Sequence, residues 1–447
     1  MNKKATYFGI VAFFAIAIGI IAVSYKMKER KGATKHYALQ ERKGALAALP
    51  EWTVIRNRAN ILSKAIKEDP EDKKSALALA ALYVQEARVT GNYAYYDVAA
   101  MQQVDRVLEQ EPDNFDALLY KSLIHLSQHH FAEGLAVAAK AEQINPYNAF
   151  VHGILIDAHV EMGQYEKAVE EAEKMISIRP DLTSYSRIAY LREIHGDLPG
   201  AVEAMKLAVD AGEPRADGTE WARIQLGRLY ESMGDLKSAH VQYTTSLEER
   251  PGYAPALAGL GRLAATEGHY PEAIQYFQQA DSLLIDYTFK DELIDLYRLT
   301  GDTKKADALS KDMVQEMSAA AEAAKKDETV GHYADKELAY AYLKAGNTDK
   351  ALEHALAEYN RRPNNIDVNE AVAWVYYKQG NYAKALPHLD KALRTNAKNP
   401  VLLCRAGLIY SKTDKPKGKQ LLQEGLKNNP SMPVPLKQEA SQALRQL

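Results

Sequence analysis

A beat repeated seven times limits what this chain can become. Glycine is followed two residues on by a usually aromatic or aliphatic residue, and three further by alanine: Gly163…Tyr165…Ala168, Gly196…Leu198…Ala201, Gly234…Leu236…Ala239, Gly268…Tyr270…Ala273. It continues as Gly301…Thr303…Ala306, Gly346…Thr348…Ala351 and Gly380…Tyr382…Ala385. Successive glycines stand 33, 38, 34, 33, 45 and 34 residues apart, a period near 34 with two insertions. A period of that length belongs to arrays of small supersecondary units, whose function is read from a surface rather than from a fold-encoded pocket.

The beat has a physical reason. Each unit is predicted to be a helix, a tight turn and a second helix, with glycine or asparagine supplying the left-handed backbone that ends the first helix. Alanine in the second helix lets the pair approach closely, while Leu, Tyr and Phe positions three, four and seven apart form the apolar stripes. Pro112, Pro146, Pro180, Pro251, Pro363 and Pro430 close many units. They fall where a helix cannot continue. Neither helix buries its stripe alone, so the units must stack.

The chain at this point resembles the tetratricopeptide repeat family, whose pattern places Leu-Gly and Tyr in the first helix, Ala and Phe in the second, and Pro at the end. Ala256-Leu257-Ala258-Gly259-Leu260-Gly261…Gly268…Ala273…Phe277…Ala280 and Val372-Ala373…Tyr376…Gly380…Ala385…Ala392 carry the resemblance most fully. Weaker units put His129-His130-Phe131 at the turn or Gly134 in the alanine slot. The resemblance spans roughly residues 70 to 430. It implies an all-α solenoid, a right-handed superhelix of antiparallel helix pairs, and a protein or peptide partner bound on the concave wall. The chain resembles tetratricopeptide proteins of bacteria, among which are membrane-anchored members.

Aligned on their turns, the first helices then assign that wall. The expected partner-binding residues are Tyr190, Glu193, Trp221, Arg228, Arg262, Arg298, Tyr333, Lys336, Tyr340, Trp374, Tyr377 and Lys378. Asp157, Glu161, Glu231, Asp291, Asp295, Lys344, Asp367 and Glu370 share the same face. Trp, Tyr and Arg dominate binding when a partner buries them, and Tyr333, Tyr340, Trp374 and Tyr377 form an aromatic strip. Packing between helices is the competing reading for Trp374, and a solvated face is the competing reading for any single Asp or Lys.

The first residues differ in kind. Ala5 to Ser24 is apolar and uncharged after Lys3 and Lys4, long enough as a helix to cross a bilayer. An uncleaved single-pass anchor is expected over 1–25, with a cleavable signal as the alternative. Lys26, Lys28, Arg30, Lys31 and Lys35 favour a cytoplasmic array, whereas the basic start favours export; the balance is set on an extracytoplasmic array. Residues 26–50 read as a charged stalk, 51–70 as a preliminary helix, 71–430 as about ten repeats, and 431–447 as a polar capping helix. Gly91 to Tyr96 reads as an enlarged, Tyr-rich turn, and Glu316 to Asp327 as a lengthened helix.

Net charge is −3 over 447 residues, which gives no field for nucleic acid. The single cysteine, Cys404, forms no intrachain disulfide and reads as a small buried hydrophobe. Gly259-Leu260-Gly261 lacks a third glycine and a preceding strand, and His-Glu-x-x-His, Gly-x-Ser-x-Gly and phosphate-loop sequences do not occur. No catalytic residue, cofactor or metal is therefore assigned. One alternative stays open. His125, His129, His152 and His159 lie on equivalent helices of adjacent units and, if convergent, would suit zinc or nickel. Yet His125 and His159 occupy slots held elsewhere by Tyr230, Tyr297, Tyr342 and Tyr376, as packed tyrosine replacements would. Self-association of array ends is the remaining alternative.

Overall fold

A computed structural model describes residues 36–447 apart from 327–331. Residues 36–40 have no regular structure, and Glu41–Leu447 form one compact unit. Among the described residues there are helices and no strand.

The predicted beat becomes a specific turn. Gly163, Gly196, Gly234, Gly268, Gly301, Gly346 and Gly380 all have φ between 70° and 84°. The residue after each donates its N–H to the carbonyl five positions before it, as Gln164 does to His159 (2.8 Å) and Asn381 to Tyr376 (2.9 Å). This is the Schellman closure, which satisfies carbonyls the first helix would leave bare. His129 (φ 62°) takes the glycine position, and His130 donates to the carbonyl of His125 (2.8 Å). The alanines of the beat, from Ala168 to Ala385, have no exposed surface. Gly134 stands in that slot because a Cβ there would lie 2.7 Å from Leu126.

Helices pair in order: Lys73–Thr90 with Tyr93–Gln110, Phe115–Ser127 with Phe131–Ile144, Ala149–Glu161 with Tyr165–Ile178, Leu182–Ile194 with Leu198–Asp210, and Asp217–Met233 with Leu236–Glu249. The series goes on with Ala254–Thr266 and Tyr270–Leu283, Tyr287–Leu299 and Thr303–Lys326, Asp335–Lys344 and Thr348–Arg361, Ile366–Lys378 and Tyr382–Ala392, then Pro400–Tyr410 and Lys415–Gly425. Side chains of Asn114, Asn148, Asp181, Asn365, Asn399 and Asp414 cap first or second helices by accepting backbone N–H bonds. Small apolar clusters at each interface replace a single core, as at Ile156, Tyr165, Met175 and Leu191. The last helix, Val434–Gln446, packs on Pro400–Tyr410 and Lys415–Gly425.

One local expectation changes. The Tyr-rich stretch after Gly91 is no enlarged turn: the second helix starts at Tyr93, Tyr96 is fully buried in the alanine slot, and its ring meets Tyr83 at 6.0 Å. The end of the charged stretch is packed and includes the short helix Gly44–Ala48. Arg42 is buried, bonding Glu86 (2.6 and 3.0 Å) and Glu51 (2.6 Å).

The array winds back on itself about every 200 residues, roughly six units. Arg362 pairs with Glu161, and Arg394 donates to the carbonyl of Gly163 (2.6 Å). Ile285 N–H bonds Thr90 O (3.2 Å), Tyr333 N–H bonds Gln128 O (3.0 Å), and Ser431 N–H bonds Glu231 O (3.1 Å). Arg250 holds Glu51 at 2.7 and 3.1 Å. Glycine turns are used twice over in this seam. A Cβ on Gly91, Gly163, Gly196 or Gly234 would lie within 2.0 to 2.4 Å of the carbonyl oxygen of Ile285, Asn364, Asn396 or Asn428, whereas Gly268, Gly301, Gly346 and Gly380 face open space.

The expectation of a single-pass anchor with the array outside the cytoplasm is corrected. Among the described residues no helix is long and apolar enough to cross a membrane. Ala5 to Ser24, on which that expectation rested, lies outside the described residues.

Candidate functional site: the inner wall of the superhelix

First helices line the interior, as their stripes dictate: one stripe packs on the partner helix, and the other points inward. Two adjoining cavities of about 510 and 580 Å³ run along it, sharing Thr288 and Asp291. The first lies between Arg88 and Tyr93 on one side and Trp221, Arg228 and Arg262 on the other. Arg88 reaches across to Asp217 (2.7 Å). The second runs past Tyr340, Lys344, Trp374 and Arg405 to Pro433, Leu436 and Glu439.

Most charges on the wall are already matched. Arg262 is held bidentately by Glu231 (2.8 and 3.0 Å), which also accepts from the Tyr243 hydroxyl. Lys344 meets Asp295 at 2.5 Å and Asp291 at 3.2 Å. Arg298 donates to Lys344 O (2.7 Å). Arg405 bonds Glu370 and the Tyr340 hydroxyl, each at 3.0 Å, and lies over the Tyr340 and Trp374 rings. Enclosure also acts on acids here. Burial, then neighbouring Asp291, pushes the Glu292 carboxyl up to about 7.

Arg228 differs. Among the described residues it has no ion pair and no hydrogen bond, and it keeps open surface within the interior. The neighbouring Arg262 guanidinium, and after it the enclosure of the site, lower its pKa from the usual arginine value. Open surface and desolvation agree once the position is seen: Arg228 touches solvent but is ringed by protein. Trp221, which lines the same cavity, remains 40% exposed, and Tyr190 on the first helix of the preceding unit 39%. Burial raises the Glu193 carboxyl above its ordinary value, against the opposing pull of Arg228.

The twelve expected residues thus divide into groups. Tyr190, Glu193, Trp221 and Arg228 face the open interior; Arg262 and Arg298 are engaged as above. Tyr333 belongs to the seam, with the Arg361 guanidinium 4.5 Å and the His130 ring 4.3 Å from its ring. Burial lowers the Lys336 pKa, but Glu337, Asp367 and Glu161 outweigh it and leave it above the usual value. Tyr340, Trp374, Tyr377 and Lys378 adjoin the terminal helix. Trp374 is 7% exposed, in one cluster with Leu436 and Ala440, while Glu439 accepts from Tyr377 and pairs with Lys378, each at 2.9 Å.

The alternative of a histidine cluster finds no support: among the described residues the four imidazoles do not converge. His125 stacks near His130 with its Nδ1 buried and unpartnered, His129 Nδ1 bonds Tyr333 O (2.9 Å), and His159 Nδ1 bonds Gln164 (2.8 Å). Burial holds His125 down at about 4 and His129 at about 3. Among the described residues, metal-ligand spacing occurs at Glu142, His152 and Glu171 instead. There Lys174 Nζ lies 3.3 Å from Glu142 and 2.8 Å from Glu171, and the His152 nitrogens face Glu171 (2.6 Å) and Pro146 O (2.8 Å). An ammonium already supplies the positive charge between these carboxylates.

Two tetratricopeptide repeat models match the sequence, one over residues 224–283 and 336–400 and the other over 157–182. Those spans are helix pairs closed by the glycine turn described above. The chain is a tetratricopeptide repeat protein. Among curated proteins this tetratricopeptide array is similar to the protein CTR9 homolog of Arabidopsis thaliana, 25% identical over 191 residues, 41% of this chain and 18% of that protein. It is also similar to the protein O-mannosyl-transferase TMTC1 of Homo sapiens, 30% identical over 133 residues, 30% of this chain and 14% of that one. The chain thus spans less than a fifth of either relative. Solved structures similar to it include the Cut9–Hcn1 hetero-tetramer of the APC/C (16% identity, 89% of this chain and 73% of that one, TM-score 0.39). PilW, a type IV pilus biogenesis factor, is another (15%, 44% and 91%, TM-score 0.38). Tetratricopeptide arrays are generally non-catalytic scaffolds for protein interaction.

Proposed function

We propose that this scaffold takes an extended segment of a protein partner into its interior along Tyr190, Glu193, Trp221 and Arg228. The observation that carries this reading is Arg228, a guanidinium set beside that of Arg262 and, among the described residues, in no ion pair or hydrogen bond. A carboxylate from a partner relieves that repulsion in an enclosed setting, where a charge-assisted pair is strong. Trp221 and Tyr190 offer flat apolar area for neighbouring side chains at small entropic cost. The partner is therefore an acidic segment with apolar residues, bound without chemical change.

A displayed peptide library selected on the full chain tests this. Enriched sequences should carry Asp or Glu near aromatic or aliphatic residues, and should be lost on Arg228→Glu and weakened by about tenfold on Trp221→Ala, the loss of roughly 1.4 kcal/mol expected of a central aromatic anchor. Equal recovery by both variants would exclude this stretch.

A further inference from the structure

The second cavity is bounded by the chain's own end. Leu436 and Ala440 of the terminal helix bury against Trp374, Cys404, Leu408 and Leu422, and Glu439 bonds Tyr377 and Lys378 at its rim. The connection into this helix is short and carries Pro430 and Pro433, with Pro435 in the first turn of the helix. It also touches the earlier superhelical turn, through Ser431 N–H to Glu231 O (3.1 Å) and Ser431 Oγ to Thr266 Oγ1 (2.9 Å).

The fit is incomplete. Leu436 and Ala440 are the residues this helix buries, and Leu436 and Glu439 border, with Tyr340, Trp374 and Arg405, a cavity of about 580 Å³ that continues to Tyr287 and Asp291. A side chain longer than leucine entering there would gain contacts that the native helix forgoes. Two apolar residues and one carboxylate on a single helical face make a replaceable ligand. Prolines in the connection keep it extended when the helix leaves, because they cannot continue a helix and fix the backbone.

We propose that the wall at Trp374, Tyr377 and Lys378 is a docking site for an amphipathic partner helix, held shut in the free protein by residues Met432–Leu447. The incoming helix matches the terminal one in pattern: a carboxylate in the place of Glu439 and a bulkier apolar residue in the place of Leu436. This surface lies beyond the Arg228 stretch, and it stands or falls independently of that reading.

The test uses a fluorescent peptide of residues 432–447 and the full chain. Leu436→Asp with Ala440→Asp dislodges the resident helix without removing it. Anisotropy should show the peptide binding this variant at least about tenfold more tightly than the unaltered chain, since the closed form discounts apparent affinity by its open fraction. Adding Trp374→Ala to the variant should abolish the gain, and a peptide carrying Leu436→Trp should bind more tightly than the native one. A folded variant that gains nothing, a gain that survives Trp374→Ala, or a Leu436→Trp peptide that binds more weakly would overturn the proposal. Hydrogen exchange on the unaltered chain supplies a second arm. Amides of 434–446 should exchange by local opening ahead of Pro400–Tyr410; exchange only together with the whole array would overturn it as well.

Discussion

Gly163 and Gly380 share one backbone conformation (φ 70° and 74°) and one place in the repeat, yet their surroundings differ. Replacing either by alanine forces a Cβ into the left-handed region, at about 1–2 kcal/mol. At Gly380 that is the whole effect, because no atom lies within 4 Å of the added carbon. At Gly163 the carbon would sit 2.3 Å from Asn364 O and 2.4 Å from its carbonyl carbon. Backbone cannot rotate aside as a side chain does, so the seam must part locally, adding about 1–3 kcal/mol as overpacked sites do. Gly163→Ala should therefore lose about 1–3 kcal/mol more than Gly380→Ala. Urea unfolding followed by circular dichroism reads the difference as a shift in midpoint at constant slope. Gly234→Ala (2.0 Å from Asn428 O) and Gly268→Ala (open space) repeat the comparison elsewhere. Equal losses within each pair, to about 0.5 kcal/mol, would refute the closing of one superhelical turn upon the next.

The same seam is testable through charge. Arg362 is buried between Glu358 and Glu161, so Arg362→Ala should cost about 3–5 kcal/mol, and a double-mutant cycle with Glu161→Ala should show coupling of at least about 1 kcal/mol; additive losses would deny a direct pair. Asp97 gives a pH signature. Burial raises its carboxyl to about 7, against the hydrogen bond from Ser127 (2.6 Å), while the unfolded value is about 3.9. The folded state holds the extra proton between those values, so this contribution is complete below pH ~3.9 and lost as pH rises towards 7. Stability of the native chain relative to Asp97→Asn should fall across that window and level off above it; a flat difference in urea midpoints would show that Asp97 is ionised throughout.

Much of the fold was legible because a Schellman turn needs glycine and a close helix pair needs alanine, and both leave a mark every 34 residues or so. The seam was not. Gly163 and Gly380 read identically, since the contact that separates them depends on small rotations accumulated over six units, which no single unit encodes. Tyr93 to Tyr96 looked like a turn by composition, whereas the helix begins at once because Tyr96 fills the space an alanine leaves elsewhere. At the candidate site, the family resemblance and the alignment on the turns put Trp374 and Arg228 in the same class of position. Their different circumstances come from Leu436 and Arg262, residues 62 and 34 positions away. The histidine alternative stayed open in the sequence because spacing along helices fixes a face, not the direction in which a ring nitrogen points.

The pairing of Glu161 with Arg362 across 201 residues also bears on how the chain is made. At synthesis rates of about 5–20 residues per second, the edge at Gly163 waits roughly 10–40 s before its complement leaves the ribosome. During that interval the nascent first turn carries bare carbonyls and half-satisfied acids. A chaperone that shields such an edge would raise the yield of this protein more than that of an array whose contacts end at the adjacent unit.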